Sequence, residues 1–244
     1  MLVLRPPVNN RILNGLSPTD LACMRPYLRK TFFNERSVLQ QQKRRVADIG
    51  FVESGLVSLR RISSDSIVEL ALVGVQGVVG ISALFGAGES GHQCVAVTSG
   101  VSLNIYVEDL SNLMEERPRL REHFLHSVQV LLIHCSQVAL CGIHHQLTQR
   151  LAGWLCHASD VAGGTNIPVT HDYLSTMLGL RRASVTEALR RFEDEGSIVK
   201  ARGALRVRNR QLLDQRACSC HATISEAYRL ERELGCTLFD VSQE

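Results

Sequence analysis

Between Ser37 and Val107 the chain alternates apolar and polar residues in short stretches broken by turn residues. Examples are Gly55-Leu-Val-Ser-Leu-Arg60, Ile67-Val-Glu-Leu-Ala-Leu72 and Cys94-Val-Ala-Val-Thr98. A period of two puts successive side chains on opposite faces of a strand. Nine of the 18 glycines fall between residues 50 and 100, which predicts a compact β-barrel or roll rather than βαβ units. Ahead of it, residues 12–30 read as helical, with Ser17 as cap and Pro18 at the first helical position.

The pattern then changes period. After Glu108 to Glu116, Pro118 opens a long helix reaching about His144. On it Phe124, Val128, Leu131, Cys135, Val138 and Gly142 are spaced 4, 3, 4, 3 and 4 apart, the seam of a two-stranded coiled coil. Leu125, Leu132, Ala139 and Ile143 mark a second apolar face, expected to lie on the barrel. A helix apolar on two faces needs two partners, and a second copy of the chain is the expected one. A further helix, Leu147 to Asp160, leads through Ala162-Gly-Gly-Thr165 into the C-terminal part. The expected organisation is a β-roll over 1–116, a dimerisation helix over 117–145 and a C-terminal domain over 146–244.

Thr170 to Arg210 carries the chemistry. Thr170 caps a predicted helix over His171 to Leu178, Gly179 supplies a tight turn, and a second helix runs from Arg182 to about Glu195. Val185, Ala188, Leu189 and Phe192 form its buried stripe at i, i+3, i+4 and i+7. The opposite face offers Arg181, Arg182, Ala183, Ser184, Thr186, Glu187 and Arg190 to base edges and phosphates. After Gly196, residues 198–208 alternate into a hairpin turned near Gly203, with Arg202, Arg206 and Arg208 available to a nucleic-acid backbone. Residues 181–210 hold nine Lys/Arg against four Asp/Glu, and 198–210 hold five basic residues and no acidic one. A helix-turn-helix with a basic wing is the expected fold here, and double-stranded DNA the expected partner.

Composition adds less. The chain has 244 residues, 45% hydrophobic and 21% charged, with a formal net charge of +3, so its positive charge matters through clustering. No apolar run is read as membrane-spanning and Met1 to Arg5 is too short for a secretory core, so a cytoplasmic location without membrane contact is expected. The eight cysteines (23, 94, 135, 141, 156, 218, 220 and 236) suit a reducing compartment. Cys218-Ser-Cys-His221 with Cys236 has metal-ligand chemistry. Ala217 to Gly235 reads as one helix, however, on which residues two apart diverge, so structural thiols and no metal are expected. The His pairs 123/126 and 144/145 read as exposed helix surface.

A β-roll, a long dimer helix and a winged helix-turn-helix, in that order, resemble the Crp/Fnr family of bacterial transcription regulators. The residues that carry this are Leu174-Ser-Thr-Met-Leu-Gly-Leu-Arg-Arg-Ala-Ser-Val-Thr-Glu-Ala-Leu-Arg-Arg-Phe-Glu-Asp-Glu-Gly-Ser-Ile198, Phe51 to Leu59 and Gly77 to Phe85. The resemblance implies an α+β fold with a cyclic-nucleotide-binding-like roll. It also implies a homodimer on an inverted-repeat operator, with RNA polymerase and a small-molecule effector as further partners.

Departures from the family pattern bear on the signal. Relatives that bind cyclic AMP place a Glu after the loop's Gly and an Arg-Ser pair further on. Here the effector loop comprises Gly80, Ile81, Ser82, His92 and Gln93, and no residue of it carries a permanent charge, so cyclic AMP is not expected to bind. Cys23 alone stands near the N-terminus, too few thiols for an iron–sulfur cluster there. His92 or Cys94 leave a haem or other small-molecule sensor as the alternative. In relatives the Glu187 position is often Arg and that of Ala183 often Glu, which implies a different operator. No catalytic constellation is present, and neither an enzyme nor a resident cofactor is expected.

Overall fold

The computed structural model describes residues 8–86 and 88–240; the side chains of Phe85, Arg232 and residues 234–240 lie outside the described set. The N-terminal 30 residues are not continuously helical. Two short helices, α1 (Arg11–Asn14) and α2 (Pro18–Met24), and a 3-10 turn (Arg25–Tyr27) give way to β1 (Arg29–Phe33). Ser17 does cap α2, accepting from Asp20 N at 2.9 Å, with Pro18 at the first position. Pro26, which has no N–H to continue the helical ladder, falls in the 3-10 turn where α2 ends.

The roll consists of β1, β2 (Val38–Gln40), β3 (Asp48–Ser54), β4 (Val57–Ile62), β5 (Ile67–Val73), β6 (Val78–Val79), β7 (Gln93–Ala96) and β8 (Gly100–Tyr106). They form two antiparallel four-stranded sheets, ordered β1-β8-β3-β6 and β2-β7-β4-β5. Phe33, Val52, Val57, Leu59, Ala71, Val73, Val79, Cys94 and Ala96 fill the space between them. The first sheet is also covered on its outer face, where Ile49, Phe51 and Ile105 meet the N-terminal helices, α3 (Val107–Glu116) and the start of α4 (Pro118–His144). Burial on both faces explains the unbroken apolar run Ile49-Gly-Phe-Val52.

One irregularity matters later. The β4–β5 register pairs Leu59 with Ala71 but Arg60 with Glu69, so Leu70 has no partner. This bulge turns Glu69 onto the face of Ser58 and Leu72, away from Ala71 and Val73 in the interior.

Helix α4 runs as the sequence predicts, from Pro118 to His144, but its faces are used differently. Phe124 is 1% exposed, and with Val128, Leu131 and Cys135 it packs on the roll. The expected seam therefore covers the barrel within one protomer. The face expected on the barrel is outermost: Leu125, Leu132 and Ile143 are 43%, 65% and 78% exposed. A third face, with Ser127, Val130 and His134 buried, lies toward α9 (Ser219–Asp240), where His134 meets Tyr228. Heptad spacing cannot tell these faces apart, because 3.5-residue periodicity marks any apolar stripe and not its partner. Three apolar faces also make α4 long and apolar enough to cross a membrane by length and composition, which corrects the expectation that no segment is.

The His pairs are likewise not plain surface. His123 is buried, with Nε2 2.8 Å from the Ile12 carbonyl, and His145 meets Cys220. His134 and His157 stack edge to face inside the molecule; burial holds His134 well below the usual imidazole range and His157 down at about 4.

The C-terminal part comprises α5 (Leu147–Ala162), β9 (Asn166–Ile167), α6 (His171–Leu178), α7 (Arg182–Asp194), β10 (Ile198–Ala201), β11 (Ala204–Val207), α8 (Arg210–Arg216) and α9. Its core reaches into the roll, joining Leu151, Leu155, Leu174, Leu189 and Phe192 to Leu56, Leu72 and Val97. At that junction Glu69 is buried and accepts from Ser58 Oγ at 2.5 Å, Trp154 Nε1 at 2.5 Å and Tyr173 Oη at 2.6 Å. Burial raises its pKa against the lowering effect of these donors.

Removing this acceptor takes the carboxylate partner from buried Ser58 and from half-buried Trp154 and Tyr173. Glu69→Ala is expected to cost about 2–4 kcal/mol in urea unfolding. Trp154 is the single tryptophan, so its emission should shift to the red at urea concentrations where the wild type is unchanged. Wild-type stability and emission in the variant would show that the junction is held elsewhere.

Candidate nucleic-acid interface

The local sequence builds the helix-turn-helix with little help. Thr170 accepts from Tyr173 N at 3.1 Å and starts α6, as expected. Gly179, at φ +62°, closes α6 and turns the chain in a backbone conformation that favours glycine. Leu180 N then returns to the Ser175 carbonyl at 2.8 Å. Helix α7 starts at Arg182 behind Arg181, which makes no side-chain cap, and buries Val185, Ala188, Leu189 and Phe192. The wing, β10 and β11, turns at Gly203 (φ +71°). Sequence reasoning missed β9, a two-residue strand that pairs with β11 and anchors the wing to the end of α5. Two residues are too short for periodicity to reveal.

The outer face of α7 is open. Arg181, Arg182, Ala183, Thr186, Glu187 and Arg190 are exposed and Ser184 half-buried; Arg202, Arg206 and Arg208 of the wing are exposed as well. Ion pairs sort the nine basic residues of 181–210. Arg182 Nε sits 2.7 Å from Asp172 Oδ1, Arg191 pairs with Glu187, Lys200 with Glu193 and Arg210 with Asp160 and Asp214. Among the described residues that leaves Arg181, Arg190, Arg202, Arg206 and Arg208 without an acidic partner. Thr186 Oγ1 lies 3.0 Å from His171 Nδ1. The unpaired cations lie at the start of α7, on its outer face and along the wing, an arrangement able to neutralise phosphates on both sides of a groove.

The expected effector loop is not one cluster. Gly80 (φ +90°) belongs to the first sheet, where a Cβ would stand 2.7 Å from the Asp48 carbonyl oxygen, and Ile81 is buried in that sheet's outer core. Ser82 follows on a 3-10 turn (Ile81–Phe85). Gln93 belongs to the second sheet and accepts from Arg60 Nε at 2.8 Å. His92 is half-buried, and burial lowers its pKa together with the nearby Arg61. The sequence reading found no fixed charge in the loop; the fold brings two from β4, since Arg61 donates to the Gly91 carbonyl at 2.5 Å. Cys94 is inside the roll, its thiol pushed up to about 12 by burial, which disfavours the thiolate that haem ligation requires.

Comparisons with known proteins agree with this architecture. FixK2 from Bradyrhizobium japonicum superposes with a TM-score of 0.68 at 16% identity, over 78% of this chain and 98% of that one. CLP from Xanthomonas campestris, described as a c-di-GMP-responsive global regulator, gives 0.66 at 16% identity over 78% and 99%. A transcriptional regulator of the Crp/Fnr family from Eubacterium rectale gives 0.64 at 15% identity over 84% and 96%. At such identities these likenesses speak for the fold. Residues 149–216 match the family model of the Crp-like helix-turn-helix domain, which covers α5 through α8. Over residues 149–216 the chain carries a Crp-like helix-turn-helix domain, and its fold is similar to that of the regulators it superposes on. No curated protein sequence matches it. The matched helix-turn-helix domain thus lies where α6, the turn and α7 were read from sequence.

Proposed function

We propose that the protein is a homodimeric, sequence-specific DNA-binding regulator acting on an inverted-repeat operator in the cytoplasm, without enzymatic activity. The observation that carries this is the open basic face of α7 and the wing, mounted on a Crp-like helix-turn-helix. In this reading residues 1–116 form the sensor roll, 117–145 the dimerisation helix and 146–244 the DNA-binding domain. Helix α7 lies in the major groove, with half-sites about one helical turn apart, roughly 10–11 base pairs. Arg182 reads a guanine after leaving Asp172, an exchange whose cost is small because both side chains are well exposed. Arg206 contacts phosphate. RNA polymerase and a small-molecule effector remain further partners of this reading.

Arg182→Ala should weaken operator binding by about 1–3 kcal/mol and relax one base position, whereas Arg206→Ala should weaken all sequences alike. Binding-site selection with each variant checks this. An unchanged motif with Arg182→Ala and a rewritten one with Arg206→Ala would reverse the two roles.

The dimer forms along the exposed stripe of α4. Leu125, Gln129, Leu132, Ser136, Ala139, Leu140 and Ile143 recur at three- and four-residue spacing on its open side. This replaces Phe124, Val128, Leu131, Cys135, Val138 and Gly142 as the seam, since the first four cover the roll. Leu132→Glu places two carboxylates across the axis, and sedimentation should find a folded monomer at micromolar concentration. Leu131→Glu should instead lower the melting temperature of the protomer. A dimer lost with Leu131→Glu and kept with Leu132→Glu would restore the other seam.

The roll does not take cyclic AMP. Its interior is filled by side chains, Ile81 is committed to the core, and Arg60 and Arg61 already serve Gln93 and Gly91. Calorimetry should show no micromolar uptake of cyclic AMP, and saturable uptake would overturn this.

A further inference from the structure

The sequence reading dismissed metal binding because Cys218 and Cys220 were placed on one helix. The helix in fact begins at Ser219. Cys218 precedes it and Cys220 lies in its first turn, so the two side chains converge instead of diverging. They meet a second pair at the end of α4, Cys141 in its last turn and the capping residue His145, whose backbone N–H bonds the Cys141 carbonyl at 3.1 Å. Cys141 Sγ is 3.4 Å from Cys218 Sγ, and Cys220 Sγ is 3.4 Å from His145 Nδ1. All four ligand atoms lie within 4.8 Å of one another. Ligand atoms bound tetrahedrally to zinc at about 2.0–2.3 Å stand roughly 3.5–3.8 Å apart, so small side-chain adjustments close the shell.

We propose that Cys141, His145, Cys218 and Cys220 form a Cys3His site for Zn2+. Three soft thiolates and one imidazole, with no carboxylate among them, select zinc over hard cations. Binding exchanges three S–H protons for three Zn–S bonds and releases the protons to solvent, leaving a complex of net charge −1. The partial positive charge of the α9 N-terminus favours that complex, and Arg150, which lines the same small cavity, adds to it. A Cys141–Cys218 disulfide would occupy only two of the four groups and account for neither Cys220 nor His145. His221, counted among the ligands in the sequence reading, instead lies 3.4 Å from Asp160 Oδ2. The Cys236 side chain lies outside the described residues.

The position suggests what the metal does. His145 and Gln146 separate α4 from α5, so one ligand ends α4, one lies in the hinge into the C-terminal part, and two come from beyond it. Zinc would therefore clasp the end of the dimer helix to α9 and fix how the helix-turn-helix is carried. The site stands independently of the DNA reading; its effect on operator binding rests on that reading.

The test uses full-length, fully reduced, metal-free protein titrated with Co2+ and then Zn2+. One equivalent per protomer is expected, with the intense visible bands and thiolate charge transfer of tetrahedral cobalt, bleached by zinc. Cys141→Ser and His145→Gln, both at half-buried positions, should weaken uptake by about 100-fold or more, while Cys23→Ser leaves it unchanged. Zinc should raise the melting temperature of the wild type and not of these variants. The absence of tetrahedral cobalt in the reduced wild type would overturn the site, as would equal uptake by a Cys141→Ser/Cys220→Ser double variant. Purification as a metal-free Cys141–Cys218 disulfide that zinc cannot replace after reduction would do the same. Tight zinc uptake without any change in operator affinity would keep the site and remove its role at the hinge.

Discussion

Helix α4 carries apolar side chains around more of its circumference than a surface helix can leave in water, and covering them dictates where the other elements go. Phe124, Val128 and Leu131 take the outer face of the first sheet, so the roll is built against the helix rather than beside it. Val130 and His134 take α9, so the C-terminal segment folds back along nearly the full molecule. What remains, from Leu125 to Ile143, is a stripe that another copy of the same stripe would match. A shift of α4 against one neighbour therefore disturbs the other two, a physical route by which a change in the roll reaches the DNA-binding end.

The junction between roll and helix-turn-helix adds direction to that hydrophobic contact. Apolar surfaces such as Leu56, Leu72 and Val97 against Leu151 and Leu155 tolerate sliding, because dispersion has no preferred orientation. Glu69 does not tolerate it. A buried carboxylate must keep its donors, and Ser58, Trp154 and Tyr173 come from three different elements. The β-bulge at Leu70 makes this possible by turning Glu69 out of the roll's interior. The cost of burying that charge is offset only in one relative placement of the two parts, which is how a polar contact specifies geometry that packing leaves open.

The proposed Cys3His site would repeat this logic, since Cys141, Cys218 and Cys220 line the same cavity as Glu69 near the C-terminal end of α4. Directional ligands from two elements meet at a hinge, where an apolar contact alone would allow a range of angles. With zinc bound as proposed, Glu69 and the cluster together would define the angle at which the α7 face is presented.

Local patterns were enough to place most elements of this chain and its open basic face, though not β9 or the break after α2. Thr170, Gly179, Gly203 and the Val185-to-Phe192 stripe act within a few residues of themselves, so capping, turn conformation and helical period read directly from sequence. Pro118 marked the start of α4 for the same reason. Tertiary structure alone decided partners. Both apolar stripes of α4 have the same spacing, and only the placement of the roll shows that Phe124 faces inward and Leu132 outward. Alternation put Glu69 with Ala71, and only a register slip against β4 moves it. Cys141 and Cys218 are 77 residues apart, and a two-residue difference in where α9 begins separates two diverging thiols from two that reach Cys141 and His145. Sequence encodes what each residue can do with its near neighbours; long-range contacts depend on the sum of all packing choices, and no single segment contains that sum.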